Sequence, residues 1–388
     1  MLDYLAWRGD LTFAEREFNE VDNLILSELA YLNMDGLVSP DAVPGVTLAE
    51  LYARFEDAPN DQSEVCTDPL PVLRACAASR RFAEVRAGMY VCDVDPARDI
   101  QFSAVSFFLG GAVYAAYRGT DLSIVGWRED FDLSYKTQTP GQAAARDYLD
   151  RLGAATDGDI IVGGHSKGGN FAVYAASFCD PAVQERIVRV YSNDGPGFNK
   201  TVSEQAGYAA IAPRVVKLIP AASVVGMLLC GLEKPVFIKS SVRGPIQHDP
   251  YSWRVGRDSF ERAASRTSGG AITDNAFSAW ISSLDDGERE RFVCSLFELF
   301  ENSGVTSLNE LVEKKWIPFN VFARAVRNFD PAAYREVLSA LRKLASASRG
   351  AMWNEAKLSF ERRESEKELR KSNRKAAHAP RRAKLIGK

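Results

Sequence analysis

The spacing of apolar residues changes twice along the chain. Near the N-terminus they recur every three or four positions, as in Val21, Ile25 and Leu29, which predicts a helix that packs on a core. A second helix is predicted after Thr47, because Glu50 stands at the distance of a capping box. Beyond residue 255 the helical spacing returns in the segments 271–284, 287–302, 307–314, 318–328 and 331–348.

Strand-like runs occupy the region between these helical parts. Short β-rich runs lie at 87–94, 100–109 and 111–117, and Gly110-Gly111 predicts a hairpin between the last two. Strand and helix patterns then alternate through the segments 141–153, 160–163, 168–178, 187–191, 201–212 and 214–219. This alternation predicts an α/β fold with a mostly parallel sheet, because parallel neighbours are joined by crossover helices.

The chain is predicted to divide into three parts. Its 388 residues suggest two domains, or one large domain with additions. We expect an α/β domain with N-terminal helical elements over 1–255 and a helical subdomain over 256–350. A basic tail follows over 351–388, and it has so few large apolar residues that we expect it to be disordered.

The charge of the chain is unevenly distributed. Residues 361–388 contain eleven Lys and Arg against four Glu, a net charge of +7, whereas the whole chain has a net charge of −3. The overall charge argues against nucleic acid as a partner. An isolated charged run favours a solubilising tail, and weak contact of this tail with anionic membrane lipid is the alternative. No feature of the sequence predicts an oligomeric state.

Cysteine usage and hydropathy exclude further classes of protein. The six cysteines form no Cys-x-x-Cys pair and have no metal-ligand spacing with histidine, so neither a metal nor another cofactor is expected. The first ten residues are too polar for a signal peptide, and the longest apolar run, 218–232, is too short to span a bilayer. A cytoplasmic protein is therefore predicted.

One serine stands where a predicted strand turns into a predicted helix. The sequence Gly164-His-Ser-Lys-Gly168 has the Gly-x-Ser-x-Gly form, and it lies between the apolar run 160–163 and the small-residue helical pattern 168–178. Glycines at these positions let the strand and helix approach closely, so that the Ser166 hydroxyl group projects beyond the end of the sheet. Ser166 is predicted to be a nucleophile, with a purely structural tight turn as the alternative.

A serine nucleophile needs a basic partner, and the chain offers three histidines. His165 is adjacent to Ser166, and its side chain is expected to point away from the serine side chain. His378 lies in the basic tail. His248 remains, in a loop C-terminal to the serine, as the order serine, acid, histidine requires. We predict that His248 is the general base, with a surface-loop histidine as the alternative.

The acid that orients the base is expected between Ser166 and His248. The carboxylates in this interval are Asp180, Glu185, Asp194, Glu204 and Glu233. Asp194 is preferred, because it closely follows the strand-like run 187–191, and α/β sheets place their ligands at this end of the strands. An aspartate that only stabilises the tight loop around Gly195 is the alternative.

Two hydrogen-bond donors are needed to stabilise the oxyanion. The backbone N–H of Lys167, next after the nucleophile, is one candidate. The other is expected from the loop after the run 111–117, where Thr120 offers a backbone and a hydroxyl donor. Asp121 and Asp130 are predicted either to form hydrogen bonds around this loop or to be plain turn residues.

The chain resembles the class 3 lipases of the α/β-hydrolase superfamily in Tyr117-Arg-Gly-Thr-Asp121, Trp127, Asp130 and Gly164-His-Ser-Lys-Gly-Gly169. It is more similar to a bacterial branch, the DUF2974 proteins, through the further segments 7–10, 18–22, 126–130, 193–198, 223–226 and 247–249. This resemblance covers about residues 1–255. It implies an α/β-hydrolase fold, with Ser166 as nucleophile, His248 as base, and Thr120 and Lys167 in the oxyanion hole.

The chain departs from the class 3 pattern in one respect. In that family the acid usually follows the second strand after the nucleophile, but the segment 218–223 contains no carboxylate. Either Asp194 supplies the acid from one strand earlier, or the triad is altered.

The sequence thus predicts a serine hydrolase that cleaves an ester or acyl bond of a small molecule or lipid through Ser166, His248 and Asp194. A catalytically inactive hydrolase fold that serves as a binding or scaffold protein is the alternative. The apolar stretch 224–229 is expected to be a buried core helix, with the lining of an acyl pocket as the alternative.

Overall fold

The computed structural model describes residues 1–62, 68–121, 123–266, 280, 283–302, 339, 342–343 and 346. The described helices are α1 (Leu2–Arg8), α2 (Glu20–Leu29), α3 (Leu48–Asp57), α4 (Leu70–Ala77), α5 (Ile124–Asp132), α6 (Pro140–Ala155), α7 (Lys167–Phe178), α8 (Pro181–Glu185), α9 (Lys200–Ser203), α10 (Ala206–Ile211) and α11 (Asp286–Asn302). The described strands are β1 (Val46–Thr47), β2 (Arg86–Asp95), β3 (Ile100–Phe108), β4 (Ala112–Tyr117), β5 (Asp159–His165), β6 (Ile187–Asn193), β7 (Val215–Pro220) and β8 (Val236–Ile238).

The strands form one sheet in which they follow one another in chain order, from β1 to β8. Neighbours from β1 to β4 are antiparallel, and neighbours from β4 to β8 are parallel. Leu109 and Ala112 close the predicted hairpin between β3 and β4 with a backbone hydrogen bond. The predicted α/β fold with its mostly parallel sheet is confirmed.

Both faces of the sheet are covered, because successive residues of a strand point to opposite sides. Tyr114 and Ala116 of β4 belong to the core beneath α1 to α4. Val113, Ala115 and Tyr117 of the same strand pack in the second core, beneath α6, α7 and α10. The parallel strands are therefore apolar on both faces, which explains their nearly continuous hydrophobic runs.

Some predicted elements differ from the structure in length or in type of secondary structure. The helical segment predicted at 201–212 is divided into α9 and α10. Asp130, for which a plain turn role was one of two predicted possibilities, lies within α5. Ser123 accepts a hydrogen bond from the backbone of Gly126 and caps this helix, so a serine before Ile124 was the signal for it.

The C-terminal predictions are only partly covered. The segment 287–302 is helical, as α11. The segments 307–314 and 318–328, most of 271–284 and 331–348, and the tail 351–388 lie outside the described residues. The helical subdomain and the basic tail remain predictions. Within the described ranges, every helix is too short or too polar to cross a lipid bilayer.

The parallel strands bring several loops to one edge of the sheet. The carboxyl ends of β4, β5, β6 and β7 lead into Arg118, Ser166, Asp194 and Ala221, respectively. His248 follows β8 in a short 3-10 turn, Gly244–His248. Because β4 to β8 run in the same direction, these five segments are neighbours in space.

Candidate active site

Ser166 occupies a strained turn between β5 and α7. Its backbone has a φ of 58° and a ψ of −130°, a conformation that a residue with a side chain rarely adopts. A Cβ atom at Gly164 would lie 2.4 Å from the backbone of Gly168, and one at Gly168 would lie 2.1 Å from the carbonyl oxygen of Tyr117. Only glycines allow this approach, so the local sequence determines the turn that presents the serine.

The structure brings together the three residues predicted to form a triad. His248 Nε2 lies 3.0 Å from Ser166 Oγ, and His248 Nδ1 lies 2.7 Å from Asp194 Oδ2. The Asp194 side chain is fully buried. A carboxylate at Nδ1 favours the tautomer in which Nδ1 carries the proton, and Nε2 is then free to accept one from the serine hydroxyl.

Two further groups hold the Asp194 carboxylate. The Ser223 hydroxyl donates to Oδ2, and the backbone N–H of Gly226 donates to Oδ1 over 3.0 Å. Ser223 follows β7, which is the position where the class 3 resemblance places the acid. A hydroxyl group that follows β7 therefore contacts a carboxylate that follows β6.

The other four candidate acids lie elsewhere. Asp180 caps α8 through the backbone N–H of Ala182, and Glu233 forms an ion pair with Lys217. Glu185 and Glu204 are exposed.

The loop after β4 is held by Asp121, within the loop, and by Asp130 of α5. Asp121 accepts from Arg118 over 3.1 Å and from the backbone of Ser123 over 3.0 Å. The Thr120 hydroxyl donates to Asp130 Oδ2 over 2.5 Å. Removal from water raises the pKa of Asp130 to about 6, an effect opposed by the nearby Lys167 charge. Of the two possibilities left open by the sequence, the structure shows hydrogen-bonding roles for both aspartates.

The Lys167 side chain was missed by sequence reasoning, which considered only its backbone. It is 0% exposed, and its Nζ lies 3.1 Å from Glu129 Oε2 and 3.2 Å from the Gly126 carbonyl oxygen. Glu129 also accepts from the backbone N–H of Gly141 over 2.6 Å. This buried pair ties α5 to the start of α7. The sequence did contain a signal for this buried pair, because Lys167 is a charged residue at the start of a helix whose other residues are mostly small or apolar.

His165 is the second residue whose role the sequence did not indicate. Its ring lies 4.7 Å from the His248 ring, centroid to centroid, and its Nε2 lies 2.9 Å from the His248 carbonyl oxygen. Burial, and secondarily the charge of His248, lower the pKa of His165 well below its ordinary value. His165 is therefore an uncharged donor that supports the backbone of the neighbouring histidine.

A cavity of about 530 Å³ opens over Ser166 and His248. Its wall is mainly apolar, and Val225, Leu228 and Leu229 contribute to it. Val225–Met227 is a short 3-10 turn, so the expectation of a buried core helix at 224–229 was wrong. Further apolar lining comes from Trp127, Phe131, Pro196, Ile246, Trp280, Leu284, Phe292 and Val293.

Among the described residues, no group of three or more His, Cys, Asp or Glu side chains is arranged to hold a metal ion.

The mostly parallel sheet and the serine turn after β5 define an α/β-hydrolase fold. Residues 76–298, more than half of the chain, match the model of the Mbeg1-like family, and the chain belongs to this family. No curated protein matches it in sequence. The assignment to the DUF2974 branch remains a prediction.

Several solved lipase structures are similar to the chain at low identity. A fungal lipase is 15% identical over 63% of this chain and 84% of its own, with a TM-score of 0.38. M37 lipase is 14% identical over 54% and 70%, with a TM-score of 0.35. Lipase II from Rhizopus niveus is 15% identical over 63% and 85%, with a TM-score of 0.34.

Proposed function

We propose that the protein is a serine hydrolase that cleaves carboxylic esters with an apolar acyl group. The observation that carries the proposal is the chain of contacts from Asp194 through His248 to Ser166, at the floor of an apolar cavity. A buried acid, an oriented imidazole and a strained serine are the parts that acyl transfer requires.

The reaction proceeds in two halves. His248 Nε2 takes the hydroxyl proton as Ser166 Oγ attacks the ester carbonyl, and it then donates that proton to the departing alcohol. Water, deprotonated by His248, next attacks the acyl-enzyme and releases the acid and the free serine. Asp194 keeps the imidazole in the productive tautomer and stabilises the imidazolium ion during both halves.

Thr120 and Lys167 are assigned to the oxyanion hole. The Thr120 hydroxyl donates to Asp130, so its backbone N–H is the donor left for the oxyanion. The backbone N–H of Lys167 is the second donor, at the start of α7. The buried ion pair of the Lys167 side chain with Glu129 holds α5 and the loop before it against this helix.

The acyl group is assigned to the apolar side of the cavity. Phe131 of α5 packs edge-on against Phe297 of α11 with ring centroids 5.8 Å apart, and Phe292 of α11 lines the cavity nearby. Most residues of this wall are apolar, and each methylene group of a fatty acyl chain that they bury gains about 0.8 kcal/mol.

A fluorophosphonate probe is expected to label the folded chain at Ser166, as located by mass spectrometry of the labelled peptide. Ser166→Ala is expected to abolish labelling and to lower the hydrolysis of p-nitrophenyl esters by at least about 1,000-fold. The exposed Ser39→Ala is the matched control and is expected to behave like the unmodified chain. Absence of labelling in a chain shown to be folded by circular dichroism would favour the inactive binding or scaffold protein instead.

Val293→Trp is expected to shorten the acyl chain that the cavity accepts. Val293 is 1% exposed and lines the cavity from α11, so a larger side chain there occupies the space of the acyl tail. We expect kcat/KM for the dodecanoate ester to fall by about 10-fold or more, and that for the butyrate ester to change by less than about two-fold.

Cys294→Trp is the matched control for this helix, because Cys294 is exposed and gains the same bulk outside the cavity. An equal loss on both esters, or an equal shift in the two variants, would contradict the assignment of α11 to the acyl side.

A further inference from the structure

A buried polar network lies between α2 and the sheet. Its members are Asn23 and Ser27 of α2, Tyr114 of β4 and Asn193 of β6, and all four side chains are buried with 0% exposure. Polar groups cost stability in the core unless they are hydrogen-bonded. Each of these four side chains has a hydrogen-bond partner within the network.

The centre of the network is a pair of side-chain amides. Asn23 Nδ2 donates to Asn193 Oδ1 over 2.8 Å, and Asn193 Nδ2 donates to Asn23 Oδ1 over 3.2 Å. An amide is both a donor and an acceptor, so each asparagine satisfies the other. A Cβ atom at Gly163 would lie 2.1 Å from the Tyr114 hydroxyl and 2.7 Å from Asn23 Oδ1. The network therefore lies directly against β5, the strand that leads into Ser166.

Asn193 connects this network to the proposed catalytic residues. It is the last residue of β6, and Asp194 follows it in the chain. Its carbonyl oxygen accepts a hydrogen bond from the backbone N–H of Ser166 over 2.9 Å. A displacement of Asn193 would therefore move both the nucleophile and the acid relative to His248.

Both residues that depend on Asn193 have strained backbones. The φ angle is 58° at Ser166 and 52° at Asp194, in the left-handed region that residues with a side chain rarely adopt. Such conformations persist only where the surrounding contacts determine them. The two hydrogen bonds between the Asn23 and Asn193 amides are contacts of this kind, because they are directional and end on the residue next to the strained Asp194.

We propose that, on the function proposed above, Asn23 is a positioning residue for the hydrolysis. Through Asn193 it fixes the end of β6, so that Ser166 and Asp194 keep their contacts with His248. The described lining of the cavity does not include Asn23, so this residue acts without touching the substrate. Helix α2 thus has a part in catalysis in addition to its place in the core.

Asn23→Leu is expected to lower kcat for p-nitrophenyl butyrate by about 10- to 100-fold and to change KM by less than about two-fold. Leucine has a similar branched shape but neither donates nor accepts, so the Asn193 amide loses its partner. The cavity wall is unchanged, which keeps substrate binding. The measurement is the steady-state rate of the full-length chain, with urea denaturation to show that the variant is folded under the assay conditions.

Tyr114→Phe is the matched control within the same network. Its hydroxyl group bonds to Asn23 and Ser27, whereas Asn193 bonds to Asn23 directly. The variant is expected to lower the urea midpoint, because buried groups lose a partner, but to keep kcat within about three-fold. An equal loss of kcat in Tyr114→Phe and Asn23→Leu, or a loss that appears only in KM, would overturn the proposal.

The double variant Asn23→Leu with Asn193→Leu separates position from stability. It removes both buried amides, so the urea midpoint is expected to recover towards that of the unmodified chain. We expect kcat to stay at least about 10-fold low, because apolar packing is not directional and does not fix the strand end. Recovery of kcat together with stability would show that the amide pair acts only through the fold, and would refute the positioning role.

Proton NMR separates this proposal from the function on which it rests. A charge-assisted hydrogen bond from His248 Nδ1 to the Asp194 carboxylate gives a strongly deshielded proton resonance, which Asp194→Asn identifies by its loss. We expect this resonance in the unmodified chain and in Tyr114→Phe, and its shift or loss in Asn23→Leu. Its absence from the unmodified chain, or an unchanged resonance in Asn23→Leu, would contradict the proposal. If no ester is cleaved and no probe labels Ser166, the hydrolase function fails, and the resonance still decides whether Asn23 holds Asp194 and His248 together.

Discussion

Asp194→Asn is expected to lower kcat by about 10,000-fold, with a much smaller effect on KM. An amide has almost the shape of the carboxylate, but its NH₂ group cannot accept from His248 Nδ1. If instead it donates to Nδ1, the proton moves to Nε2, and His248 can no longer accept the proton of Ser166. The backbone N–H of Gly226 donates to Oδ1, so it favours the amide oxygen at that position and directs the NH₂ group towards His248 Nδ1.

The measurement is the initial rate of p-nitrophenyl ester hydrolysis, with the rate of fluorophosphonate labelling as a second readout. Glu185→Gln is the matched control, since it neutralises an exposed carboxylate from the same interval of the sequence. It is expected to retain full activity. If Asp194→Asn keeps more than about a tenth of the unmodified rate, another group orients the histidine, and the assignment of the acid is wrong.

Lys167→Met is expected to lower the free energy of unfolding by about 3–5 kcal/mol. Both side chains of the Lys167–Glu129 pair are fully buried, so the variant leaves a buried carboxylate without its counter-ion. The remaining hydrogen bonds from the backbone N–H groups of Gly141 and Gln101 do not neutralise that charge. Urea denaturation followed by tryptophan fluorescence measures the loss.

The double variant Lys167→Met with Glu129→Gln is expected to recover most of this stability, because it removes both charges and keeps an acceptor for Gly141. Arg146→Met is the control. It breaks the Arg146–Asp147 pair, whose side chains are 35% and 64% exposed, and it is expected to change stability by less than about 1 kcal/mol. A loss in Lys167→Met no larger than in this control would show that the buried pair does not support the fold.

The features that the sequence predicted well depend on neighbouring residues. The turn around Ser166 follows from glycines two positions away on either side, and the helix after Thr47 begins with the predicted capping box. The roles of His248 and Asp194 remain predictions. His248 was chosen by elimination among three histidines, and Asp194 was preferred for its position just after a strand.

The features that the sequence did not indicate join residues far apart in the chain. Glu129 and Lys167 are separated by 38 positions, and Ser223 lies 29 positions from Asp194. Such contacts depend on which strands are neighbours, on their register and on the way in which helices pack across their ends. No periodicity in the sequence reports these quantities.

By itself, therefore, the sequence determined the alternation of strands and helices, the serine turn and the order of the candidate triad. Only the tertiary structure decided that Ser223 contacts Asp194, that His165 supports His248 and that α11 forms a wall of the cavity. The physical reason is the range of the interactions. Turn geometry and helix capping act within a few residues, whereas burial, ion pairing and cavity shape arise when distant segments come together on the sheet.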